Sequence, residues 1–95
     1  MTLGDPALER QVLTMFVAQS AQLLVRLAGL AADAGALAHT LKGSARAIGA
    51  FAVAEAAGRL ETALPEARDV RAALDTLKDA VTEAQHAIEA RLGQG

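Results

Sequence analysis

Apolar side chains recur along this chain at three- and four-residue intervals, the spacing that lines one face of an α-helix. The pattern breaks three times, so four helices are predicted. The first opens with Asp5 as N-cap and Pro6 at the first helical position, where a missing N–H costs nothing. It runs over about 6–30 with a stripe of Leu13, Phe16, Val17, Leu24 and Leu27. A break around 8–10 would set off a short N-terminal lid helix. Asp33 is the expected cap of the second helix, 34–48, and Gly49 reads as its stop. The third, 51–64, carries Val53, Ala56, Ala57, Leu60 and Leu64 on one face and is expected to end at Pro65. Asp69 should cap the fourth, 70–92, whose stripe is Val70, Ala73, Leu74, Leu77, Val81, Ala84, Ile88 and Leu92. Residues 93–95 should fray.

Short connections force successive helices to run antiparallel, so the expected fold is all-α, an up-and-down antiparallel four-helix bundle in one domain over 1–95. Composition sharpens this. Hydrophobic residues make up 53% of the 95 residues but aromatics only 2%, so alanine and leucine must build the core. Phe16 and Phe51 are the expected large anchors, while Met15 falls off its helix's main stripe.

Several function classes drop out. The chain has no cysteine, which excludes disulfides, thiolate catalysis and Cys-based metal sites. Only His39 and His86 supply imidazoles, too few for a His-rich metal centre. A net charge of −2 argues against a nucleic-acid partner. Arg26 and Asp33 interrupt the best apolar run, and no basic region precedes an apolar core at the N-terminus, so a cytoplasmic protein without a membrane span is expected.

The chemistry is concentrated in His39-Thr40-Leu41-Lys42-Gly43-Ser44-Ala45-Arg46-Ala47-Ile48-Gly49. At roughly 100° per residue, Leu37, Leu41, Ser44, Ala45 and Ile48 share the core side, and His39, Lys42, Gly43 and Arg46 the opposite one. An outward imidazole beside two cations and a glycine suits attack on phosphorus. Phosphoryl transfer asks for an unobstructed nucleophile, an in-line approach and positive charge near the equatorial oxygens. Lys42 can supply that charge and Gly43 removes a side chain where a phosphoryl group and its carrier would need room. Arg46 could add to the field or dock an acidic partner. The Ser44 hydroxyl is expected to bond back to the carbonyl of Thr40. His86 lies opposite the stripe of its helix and is expected to be inert.

His39-x-Leu41-Lys42-Gly43-Ser44-Ala45, with Gly49 six residues after Gly43, resembles the signature of histidine-containing phosphotransfer (HPt) domains, the helical bundles of two-component phosphorelays. The resemblance implies that His39 accepts a phosphoryl group from the aspartate of one response-regulator receiver domain and passes it to another. In some members a sensor histidine kinase is the donor. It also implies that Lys42 faces the phosphate and that Gly43 leaves the histidine accessible. Glu61 stands where many members have a residue that orients the imidazole through its second nitrogen. The residues themselves are compatible with this, since Glu61 flanks its stripe beside Ala54, Ala57 and Gly58, small enough for a close helix approach. The implied protein is a monomeric phosphocarrier with no kinase activity and no cofactor of its own, since the receiver brings the metal ion and the aspartate. Two other readings are a helical adaptor without phosphotransfer and the phosphoacceptor and dimerisation part of a sensor kinase. Such kinase hairpins usually carry acidic and proline residues just after the histidine, where this chain has Thr40 and Leu41.

Overall fold

The computed structural model of the chain describes residues 6–29 and 32–93. They form four helices: α1 (Pro6–Ala28), α2 (Ala34–Ile48), α3 (Phe51–Glu66) and α4 (Val70–Gly93). Each helix packs on its neighbour in sequence and α4 closes on α1, with no diagonal pairing among the described residues. This ring order is the antiparallel up-and-down bundle. The α2–α3 seam is the most extensive, and small buried residues explain why: Ala38 and Ala45 on α2 meet a partner carrying Ala54 and Ala57. Leu27, Leu41, Leu60, Leu74, Leu77, Val53 and Val81 fill the rest of the core.

Several expectations need correction. α1 is one continuous helix from Pro6, with no break at 8–10 and no separate lid. Its buried face includes Leu23 and Ser20, whose hydroxyl is satisfied by donating to the carbonyl of Val17 at 3.1 Å. The Asp5 cap lies outside the described residues, as do residues 94–95. Asp33 makes no capping hydrogen bond; its carboxylate takes a 2.7 Å bond from Arg26 instead and so ties the end of α1 to the start of α2. Asp69 precedes α4 with φ +55 and offers no side-chain cap either. Phe51 is 69% exposed and is no core anchor, because the first residue of α3 points away from the ring. α3 does not stop at Pro65 but carries it in its last turn and ends at Glu66, capped by Ala67 in a left-handed conformation. Pro65 donates no bond back to the Glu61 carbonyl, and only Glu66 follows it before the helix ends.

Gly49 has φ +82, and the two bonds that close α2 depend on it: Gly49 N–H to the Arg46 carbonyl and Ala50 N–H to that of Ala45, at 3.2 and 2.8 Å. This Schellman-type ending turns the chain into α3 within two residues. Gly49→Ala should destabilise the domain by about 1–2 kcal/mol, read as a lower denaturant midpoint with an unchanged slope.

Candidate functional site

The outer seam of α2 and α3 holds the polar residues that the sequence singles out. His39, in the second turn of α2, is 68% exposed along its side chain. Its Nδ1 lies 2.9 Å from Oε2 of Glu61 on α3. The other oxygen of the same carboxylate, Oε1, accepts a 2.7 Å bond from Nζ of Lys42. One carboxylate therefore spans the helix seam and holds two side chains from α2, three residues apart.

Electrostatics fixes the direction of both bonds. The Lys42 ammonium beside Glu61 holds its carboxyl below the ordinary value of 4.5, with His39 adding to the effect against a partial cost of desolvation. An ionised carboxylate only accepts, so the hydrogen lies on Nδ1 of His39. A neutral ring protonated at Nδ1 carries its lone pair on Nε2, the nitrogen that Glu61 leaves unused.

Gly43 is exposed one turn further along α2, and a Cβ built there would meet nothing within 4 Å. No packing contact among the described residues requires the glycine, and the surface beside His39 is open there. Arg46 follows on the same face, exposed and with no ion-pair partner among the described residues. His39, Lys42, Gly43 and Glu61 are thus brought together, while Arg46 stands a turn beyond them. Lys42 departs from the sequence reading: its side chain is only 22% exposed and it reaches sideways to Glu61 instead of outward beside His39. The Ser44 hydroxyl does not bond back to Thr40, although Thr62 and Thr82 make that bond in α3 and α4. His86 is exposed on α4, and no group of three or more His, Asp or Glu among the described residues could hold a metal ion. No described helix is long and apolar enough to cross a membrane.

The family model of the Hpt domain matches residues 11–90, a span that contains the whole His39–Glu61 seam and most of all four helices. The chain belongs to the Hpt domain family. No curated protein and no solved structure matches it. Hpt domains are histidine phosphotransfer modules of phosphorelays and act as phosphocarriers, not kinases, so this domain works with other two-component proteins.

Proposed function

We propose that this Hpt domain is a relay intermediate that takes a phosphoryl group onto Nε2 of His39 from the aspartyl phosphate of one receiver domain and gives it to the aspartate of another. The observation that carries this reading is the bond from Nδ1 of His39 to Glu61. In the forward step the Nε2 lone pair attacks phosphorus, the N–P bond forms, and the P–O bond to the receiver's aspartate breaks, leaving its carboxylate free. The imidazole becomes cationic and keeps its Nδ1 proton, and the ionised Glu61 offsets that charge. Reversal delivers the group to the next receiver without any net proton change at His39.

Lys42 and Arg46 supply positive charge for an incoming anionic phosphoryl group and its acidic carrier. Gly43 supplies clearance. Met15, 69% exposed, lies on the same flank of α1 as Arg26, the residue that reaches over to the start of α2, and offers an apolar contact to a docked partner. The bundle closes within one chain, so a second copy is not required to complete it, which favours a monomer over the dimerisation part of a sensor kinase.

The test is transfer from a panel of phosphorylated receiver domains, followed as acid-labile, base-stable label on this domain. Uptake on such a phosphoramidate supports the relay and ranks partners by rate. Absence of uptake from every receiver, with label arriving only from a kinase, would leave the sensor kinase as donor. Absence from both would leave the adaptor.

Glu61→Ala should slow uptake by about ten- to a hundredfold, because a hydrogen bond that orients a reactive imidazole carries effects of that size. Nitrogen chemical shifts of His39 should show the Nδ1–H tautomer losing its dominance in the same variant. The pH dependence has a definite sign. Glu61 titrates below its ordinary value, so the pairing is complete at pH above 4.5 and fades only as pH falls through the lowered value.

A further inference from the structure

We infer that Gly58 is a positioning residue, whose small size clears the path by which the Lys42 stem crosses α3 to reach Glu61. The domain has two mid-helix glycines near the site, and they differ in what surrounds them. A Cβ at Gly43 would enter open space, whereas a Cβ at Gly58 would lie 3.4 Å from Cδ of Lys42. Gly58 sits one turn before Glu61 and faces the groove between α2 and α3, flanked by Ala54 and Thr62. A residue this small leaves a shallow bed for an aliphatic stem whose charged end stops at Oε1 of Glu61.

Size at position 58 then governs the site. A methyl group at 3.4 Å makes ordinary contact and only lines the bed, so Gly58→Ala should leave Lys42 in place. A longer side chain occupies the volume of the stem and lifts the ammonium off the carboxylate. Glu61 then loses the stronger of its two partners and His39 is left bound to a carboxylate of higher proton affinity. Gly58 acts through Lys42 and touches neither His39 nor the phosphoryl group.

This inference rests on the relay reading for its consequence, but its test does not need a partner. The Glu61 carboxyl is titrated by carbon NMR in the unphosphorylated domain, in wild type, Lys42→Met, Gly58→Ala, Gly58→Leu and Gly58→Gln, with helicity checked by circular dichroism. Lys42→Met should move the Glu61 midpoint up toward 4.5. Gly58→Leu and Gly58→Gln should reproduce most of that upward shift, and Gly58→Ala should restore the wild-type curve. The glutamine variant covers the case in which leucine disturbs the fold. A wild-type titration in both larger variants would overturn the inference, as would a Lys42→Met curve identical to wild type. Either result would leave phosphoryl transfer to be judged by its own label assay.

Discussion

His39→Gln should abolish label uptake from every receiver while leaving the melting curve of the domain almost unchanged. The two halves of this expectation have separate causes. Glutamine has no nucleophilic nitrogen, so the N–P bond cannot form at all. Its amide can still donate to Oε2 of Glu61, and a side chain that is 68% exposed contributes little to the core. His86→Gln provides the comparison, because that imidazole is also exposed but lies on α4 with no carboxylate bound to it among the described residues. It should keep full uptake. Label that survived in His39→Gln would remove His39 from the mechanism, and label that vanished in His86→Gln would overturn the expectation that His86 is inert.

The largest effect on stability should come from Leu77→Ala. Leu77 is completely buried in α4 and belongs to a core in which six of the seventeen buried apolar residues among those described are alanines. Seven leucines therefore carry most of the burial that larger and aromatic residues would share elsewhere. Truncation removes the transfer term and leaves a cavity, together about 2–5 kcal/mol. A domain of this length commands only about 5–14 kcal/mol in total. The expected fall in melting temperature is roughly 8 °C or more. Val25→Ala is the control: Val25 is 75% exposed on α1, and its truncation should shift the midpoint very little.

The helices were legible because leucine stripes repeat cleanly; Leu74, Leu77, Val81 and Ile88 all turn inward on α4. Where the pattern misled, packing geometry decided. Phe51 looked like an anchor from its hydrophobicity alone, but its place at the very start of α3 sets it outside the stripe that Val53 and Leu60 define. Ser20 is buried because a hydroxyl in a helix can satisfy itself on the preceding turn, which hydropathy does not register. At the site, the angular position of His39 on α2 was enough to expose it, and the small residues around Glu61 pointed to a close seam. The Lys42–Glu61 bond was not legible in the same way. An angular plot assigns a residue one direction, whereas a lysine stem can lie flat for several ångströms before its charge is placed. The one sequence signal for it was a glycine at position 58, one turn before the carboxylate.

The two-residue connection between α2 and α3 has a consequence for how the His39–Glu61 pair comes together during folding. His39 and Glu61 are only 22 positions apart, and both belong to a helical hairpin whose turn is set by Gly49. The entropy lost in closing so short a loop is small. By contrast, bringing α4 back onto α1 joins the two ends of the chain and is the one distant pairing in the ring. Bundles built this way have low contact order and refold in microseconds to milliseconds. His39 and Glu61 therefore meet through local search, with the long-range closure needed only to keep them there.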